Sequence, residues 1–499
     1  MANQSIWRKK PISAYLADAK KNDLRRVLTR WGLTSLGIGA IIGGGIFTLT
    51  GIAAHDFAGP ALAISFVIAG IGCLFASLCY AEFSSVLPVE GSAYAYAYGT
   101  VGEFFAWFIG WNLILEYMMG ATTVAVAWSG YFEKLLHLFG IELPLWIMND
   151  PVTAASKAAA LGLPAPGFAF NLPAILITIL VTGILVKGIK EAASTNNLIV
   201  ILKVAVVLFV IIAGAFYVNV ENWQPFIPET KYLPDGTETF GWNGVITAAT
   251  IVFFAYIGFD AVSTQAGEAI NPKKDVPFAI IASLVICTVL YILVSLVLTG
   301  MVPYTELDLK APVASAFEGV GVTWAVFLIV VAATAGLTSV MLVMMLGQTR
   351  IFLGMAKDGL LPKGLFGAIH PVFKTPYKST IVVGACIAIV AAFTPINKVS
   401  EMCSMGTLLA FAMVCGAVWL LRIKEPDLER PYKTPMLPVV ATLGMGFNLF
   451  LMSKVRHETW VAFVIWGSIG ILVYFLYSRQ ASNLNREDAQ YPNNENLKN

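Results

Sequence analysis

Apolar positions in this chain come as long unbroken runs rather than as stripes along otherwise polar helices. Twelve runs are long enough for a hydrocarbon core of about 30 Å. They cover residues 31–55, 60–86, 103–131, 171–189, 194–218, 242–269, 277–301, 322–353, 378–394, 400–421, 436–454 and 458–478. Most connections are short, and the longer ones fall at 132–170 and 219–241. A backbone in lipid must satisfy its own hydrogen bonds, so runs of this length predict an all-α membrane protein of twelve transmembrane helices.

Composition strengthens that expectation. Of the 499 residues, 58% are hydrophobic and 12% charged, against about 25% charged in soluble domains. The basic residues set the orientation, since cytoplasmic segments carry the excess of Lys and Arg. With the N-terminus inside, 24 of the 32 fall on the cytoplasmic side, eight of them in the tail 1–30 and five in the loop after the eighth run. Seven fall outside: Lys134, Lys157, Lys231, Lys310, Lys398, Lys454 and Arg456. The remaining one, Lys203, falls in the middle of a run rather than near its end. Both termini are therefore expected in the cytoplasm of a plasma-membrane protein. The first thirty residues are polar and basic, so no cleavable signal peptide is expected. The net charge of +2 is topological and gives no reason to expect nucleic acid. The six cysteines and four histidines show no metal-ligand or disulfide spacing, and the tail 481–499 has the composition of a disordered segment.

Two runs are interrupted. Gly43, Gly44 and Gly45 sit inside Ile41–Phe47, where each glycine costs a helix about 1 kcal/mol relative to alanine. Tolerance of such a break at membrane depth implies a lined cavity or burial in protein. An opened helix presents amides at Gly44 and Gly45, suited to a carboxylate. Carbonyls at Ile41 and Ile42 suit an ammonium. The competing explanation is close packing, because Gly39 and Gly43 make a small-xxx-small pair, but packing does not require three adjacent glycines. The sixth run breaks within Ile251–Asp260, where carbonyls of Phe253, Phe254, Ala255 and Ile257 extend the ammonium cage. Phe254 or Tyr256 makes an aromatic lid, unless these rings simply face neighbouring helices. Breaks five runs apart point to an inverted repeat: residues 31–218 (helices 1–5), residues 242–421 (helices 6–10), and helices 11–12 at 436–478 as an appendage. Two parallel halves of six are disfavoured, since the sixth and seventh runs are joined only by Asn271–Pro277.

Two charges lie at membrane depth. Lys203 follows an N-cap signal at Ser194–Asn197, nine residues or about 14 Å along a helix. A lysine at mid-membrane snorkels, pairs permanently or cycles a proton; cycling is the expectation here. Glu116, beside Tyr117, lies about 20 Å into the third run and suits a cationic side chain or a lysine counter-ion, with a structural pair as the alternative. Asp260, Glu82 and Glu103 are expected nearer the cytoplasm, as gate or interface partners of the basic loops.

The segments IGAIIGGGIFTLTG, AGPALAISF and YAEFSSVLPVEGSAYAYAY within Trp31–Tyr98 resemble the cationic amino acid transporters of the amino acid–polyamine–organocation superfamily. GWNLILEYMMG (110–120), FFAYIGFDAVSTQAGEAINPKKDVP (253–277) and GQTRIFLGMAKDGLLP (347–362) extend the likeness through helix 8. The resemblance implies a fold of two inverted five-helix repeats, the LeuT-like arrangement. It implies that Gly44 and Gly45, beside Gly43 in the same substrate site, hold the substrate carboxylate, that Ile41, Phe254 and Ile257 supply carbonyls, and that Phe254 acts as gate. It sets Glu116 and Tyr117 toward the substrate side chain, with Ala121 and Val124 along that face. Lys203 takes the place of the sodium ion of sodium-coupled relatives, near Gly43, Thr338 and Ser339. Twelve spans match bacterial rather than fourteen-span animal members. Met341, with Met344 and Met345, adds bulk on helix 8 that opposes long side chains.

The expected function is a proton-coupled L-amino acid symporter working by alternating access, with broad selectivity for small neutral and cationic amino acids. The alternatives are a proton-independent exchanger of cationic amino acids or polyamines, and an amino-acid-sensing membrane receptor. An enzyme is not expected, nor any cofactor beyond the proton as coupling ion. Expected partners are the L-amino acid and the lipid bilayer, with sterol or other lipids at the surface; protein partners stay open.

Overall fold

The apolar runs are helices, and their ends follow proline, glycine and charge. The computed structural model describes residues 6–10, 28–87, 92–188, 192–232 and 238–485. Most of the tail 1–30, the tail beyond 485 and the side chains expected to cap at Ser194–Asn197 lie outside the described residues. The helices are α1 Arg30–Ile41, α2 Leu62–Val86, α3 Glu103–Leu138, α4 Leu172–Lys187, α5 Ala192–Ala215, α6 Gly241–Val252, α7 Pro272–Met301, α8 Thr323–Lys357, α9 Tyr377–Phe393, α10 Ile396–Lys424, α11 Leu437–Ser453 and α12 His457–Val473. Six apolar helical stretches among the described residues are long enough to cross a membrane, and shorter apolar helices stand beside them. At 36 residues α3 is about 54 Å long, so it extends beyond the expected 103–131. Pro272 opens α7 in its first turn, where a missing N–H costs nothing, so α7 begins before the expected residue 277.

Both expected interruptions are present. Beyond α1, Ile42 is extended (ψ 100°) and helical turns resume over Gly45–Leu49, Thr50–Ala53 and Ala54–Ala58. Beyond α6 the chain tightens over Phe253–Tyr256, becomes extended at Ile257 (ψ 132°), and resumes as a tight helix over Asp260–Glu268. Gly258 has φ +121°, and a β-carbon there would come within 2.9 Å of the Ala40 backbone. Glycine is thus required where the second break crosses the first.

Packing pairs helices five apart: α2 with α7, α3 with α8, and α4 with α9. Further contacts come in matched sets, with α1 on α7 and α6 on α2, then α5 on α7 and α10 on α2. The long connections hold small elements that the run pattern did not suggest. Helices Leu145–Met148 and Pro151–Ala160 follow α3, and strands β1 Lys231–Tyr232 and β2 Glu238–Thr239 pair antiparallel before α6. A further helix, Pro312–Gly319, lies between α7 and α8.

Candidate functional site at the two helix breaks

The three glycines do three different things. A β-carbon on Gly45 would overlap the backbone and side chain of Ala255, so Gly45 lets the two breaks touch. A β-carbon on Gly43 would press on Val340 of α8 at 3.0 Å. At Gly44 it would meet only Ala127 of α3 at 3.5 Å, Leu337 of α8 at 3.7 Å and the Phe254 ring at 3.9 Å. Gly44 therefore borders the roomiest of the three surroundings. The Phe47 N–H turns back to Gly43 O (3.3 Å), and the amides of Gly44 and Gly45 lie ahead of it, at the start of the second helical segment. Such amides have no intrahelical acceptor and carry the positive end of the dipole. The rim is apolar and the backbone supplies the polarity.

The carbonyls expected to hold an ammonium already meet a hydroxyl. Tyr291 Oη of α7 lies 2.8 Å from Ile41 O and 3.0 Å from Ala255 O. One hydroxyl proton serves one of these acceptors at a time, and each carbonyl keeps a second lone pair. Phe254 O accepts from Ile257 N (3.2 Å). Phe253, Ile257 and Tyr256 are buried, and the Tyr256 hydroxyl donates to Phe66 O (2.7 Å), which fixes its ring against α2 rather than over the break. Tyr131 Oη of α3 donates to Phe47 O (2.5 Å), and Trp128 Nε1 donates to Thr338 Oγ1 of α8 (3.1 Å). The sequence reading missed Tyr291, Tyr131 and Trp128. A tyrosine inside the apolar run of α7 was the available signal, since a buried hydroxyl needs a partner.

Lys203 is fully buried on α5, and its Nζ donates to Gly39 O of α1 at 2.8 Å. The stem lies across Gly336 of α8, where a β-carbon would come within 3.1 Å of it. The contacts are thus one turn before the expected Gly43 and less than one turn before the expected Thr338 and Ser339. Thr338 instead faces Trp128 and returns its proton to Thr334 O (2.9 Å), while Ser339 is buried. No carboxylate of the described residues lies within 4.0 Å of Lys203 Nζ. An ammonium has three donors, so one carbonyl leaves this group poorly compensated.

Glu116 and Tyr117 are not brought to Gly44. Ala127, not Glu116, is the α3 residue at that glycine, and the offset of eleven residues between them spans about 16 Å of helix. Glu116 faces α10, with its Cβ against Gly406 and its carbonyl accepting from Cys403 Sγ (3.1 Å). Both carboxylate oxygens are buried without a hydrogen-bond partner among the described residues. The Tyr117 hydroxyl donates to Asp260 Oδ2 (3.1 Å), and its ring packs on Gly347 of α8. Ala121 lies between the two regions on α3, and Met341 is buried one turn beyond Leu337 on α8.

The other acids divide. Glu82 is held by Arg422 and by Arg430 (3.5 Å), and Glu103 by Arg8 (3.5 Å) and the hydroxyls of Tyr98 and Tyr474 (both 3.1 Å). These are pairs with basic segments, as expected. Asp260 takes the Tyr117 hydroxyl instead.

Residues 28–476 match the amino acid permease family model. A methylthioribose transporter of Bacillus subtilis is 45% identical over 97% of this chain and 100% of its own. A branched-chain amino acid permease of the same organism is also 45% identical, over 97% of this chain and 99% of its own. A vacuolar cationic amino acid transporter of Arabidopsis thaliana is 39% identical over 86% of this chain and 64% of its own. The chain belongs to the amino acid permease family of the amino acid–polyamine–organocation superfamily.

Proposed function

We propose that this protein is a proton-coupled importer of small neutral L-amino acids. It works by alternating access in the cell membrane, with twelve spans, two inverted repeats and both termini in the cytoplasm. The pairing of helices five apart supports the repeat, because a two-fold axis sets each helix against or near its own counterpart. The observation that carries the function is Gly44. A β-carbon there would meet only Ala127, Leu337 and Phe254, all at ordinary contact distance, and this reading puts the carboxylate at the Gly44 amide with a small apolar side chain beside those residues. The substrate amine takes the carbonyl lone pairs of Ile41 and Ala255 around Tyr291. Lys203, in contact with α1, α5 and α8, carries the coupling proton and reports its state to the break through Gly39.

Glu116 is set too far along α3 to meet the side chain of an amino acid held at Gly44, so the reading narrows from cationic toward neutral substrates. Uptake of radiolabelled alanine into proteoliposomes, with and without an inward proton gradient, tests it. Accumulation should need the gradient, and alanine methyl ester should not compete. Competition by the ester equal to that of alanine removes the role of the Gly44 amides.

A second reading has its own support, the 45% identity to a methylthioribose transporter. A thioether sugar has neither carboxylate nor ammonium. Under that reading methylthioribose, and not alanine, displaces the label and drives proton entry in the same vesicles.

A further inference from the structure

The connection between α7 and α8 is anchored by one lysine. Lys310 Nζ donates to Glu133 Oε2 of α3 (2.8 Å) and to Asn149 Oδ1 of the segment after α3 (2.5 Å). Glu133 Oε1 accepts from Lys157 of helix Pro151–Ala160 (3.0 Å). Both partners of the central pair are mostly buried, with side-chain exposures of 18% and 17%. The loop is shaped for this. Asp308 Oδ1 accepts from the amides of Lys310 and Ala311 (both 2.7 Å), a turn that fixes the lysine backbone. The Lys310 stem lies over Gly130 of α3, where a β-carbon would come within 2.9 Å. The same loop presses on the broken first helix, since a β-carbon on Gly51 would meet Asp308 O and Pro312. Lys134 and Glu318 make a second tie beside it.

These contacts sit on one route. Ala127 borders Gly44, Tyr131 holds Phe47 one turn further along α3, and Glu133 lies six residues or about 9 Å from Ala127. The loop is thus wedged between α3 and residues 45–58, directly beyond the candidate site. With the orientation proposed above, on which this inference rests, that is the exterior side.

We infer that Lys310 and Glu133 form the latch that holds the exterior path to Gly44 shut, with Asn149 and Lys157 positioning the two charges. Outward opening separates residues 45–58 and the α7–α8 loop from α3, and this pair must break in each cycle. Lys310 is a positioning residue: it touches no substrate and sets which face of the site is open.

The test uses the full chain in intact cells, with Thr48→Cys as reporter and the exposed Cys386 replaced by serine. Thr48 is buried, lies in the chain between Gly44 and the Gly51 on which the α7–α8 loop presses, and its hydroxyl has no partner among the described residues. Lys310→Met and Glu133→Gln should each raise labelling by a membrane-impermeant methanethiosulfonate about tenfold or more, a shift of the closed population toward open. Lys310→Arg, which keeps the charge, should label as slowly as the parent. Unchanged labelling in both neutral variants with a lower thermal midpoint reduces the pair to a structural tie and overturns the latch. Labelling of Lys310→Arg as fast as Lys310→Met overturns it as well. The readout needs no substrate, so faster labelling with no amino acid uptake keeps the latch and removes the transport reading.

Discussion

The break at Gly44 and the carboxylates near Glu116 lie about three turns apart on α3 and are polar in opposite ways. At Gly44 the side chains are apolar and the backbone carries the charge complement, through amides on one helix and carbonyls on two. Around Glu116 the backbone is helical and satisfied, and side chains carry the polarity: Glu116, Asp260, Tyr117 and, beside them, the buried Tyr80 and Tyr96. A backbone site fixes the groups common to all amino acids and leaves the variable group to an apolar rim. A side-chain cluster reads charge. Under the function proposed above, their separation sets recognition of the amino acid backbone and any recognition of charge at different depths.

The sharpest break of that comparison lies between neighbouring glycines. Gly45→Ala drives a β-carbon into the Ala255 backbone, where nothing can rotate away, so destabilisation should reach or pass the upper end of the ~1–3 kcal/mol typical of overpacking. Gly44→Ala adds a methyl at ordinary contact distance, so the fold stays intact while KM for alanine rises about tenfold or more. Thermal unfolding of the purified protein and uptake kinetics read the two effects. Equal midpoints for both variants would show that the breaks do not rely on Gly45 for their approach.

Lys203→Ala should abolish gradient-driven accumulation of alanine and leave equilibrium binding measurable, since Lys203 holds Gly39 O and not the Gly44 rim. Accumulation equal to the parent would move coupling elsewhere. Glu116→Gln then tests the second region. With Glu116 facing Gly406 and Cys403, alanine and arginine uptake should change by the same factor. A selective loss of arginine would bring the carboxylate back into the substrate path.

Much of this was legible in the chain. Hydrophobic run length sets helix positions, because each run must match the bilayer, and the triple glycine announced the first break. What the runs do not carry is the face on which a residue sits. Glu116 was placed by its depth along α3, and depth leaves the angle around the helix undetermined, so its direction toward α10 could not be read. Lys203 was legible because a lysine is conspicuous at any angle in an apolar helix. Tyr291 was not, since aromatic residues are ordinary packing units in such runs. Its role depends on two carbonyls 214 residues apart in sequence that only the crossing of the breaks brings together.

Tyr291→Phe sharpens the account of the amine side. It removes one hydroxyl shared between Ile41 O and Ala255 O, a change worth about 0.5–1.5 kcal/mol, or a few-fold in KM. Alanine should feel it, and a carboxylate-bearing analogue without the amine should not. Equal effects on both compounds would assign Tyr291 to holding the breaks together rather than to receiving the amine.

The smallest effect comes from comparing two carboxylates on α3, Glu116 without a cationic partner and Glu133 with two. Glu133 lies beyond the span expected at 103–131. Burial alone would raise its carboxyl, but Lys310 and Lys157 outweigh that and hold it below its ordinary 4.5. Lys310 is also lowered, from 10.5, because burial outweighs the attraction of Glu133 and Asp308, and Lys157 adds repulsion. For the carboxylate, proton binding is weaker in the latched form than in the exposed one, so the open form takes up a proton and acid favours opening. The carboxylate's contribution is present above 4.5 and is lost as pH falls through its lowered value. Labelling of Thr48→Cys, normalised to an exposed cysteine, should increase as pH drops below 4.5. In Glu133→Gln the acid-side increase should vanish. An acid-side increase that persists in Glu133→Gln would assign the pH dependence to another group.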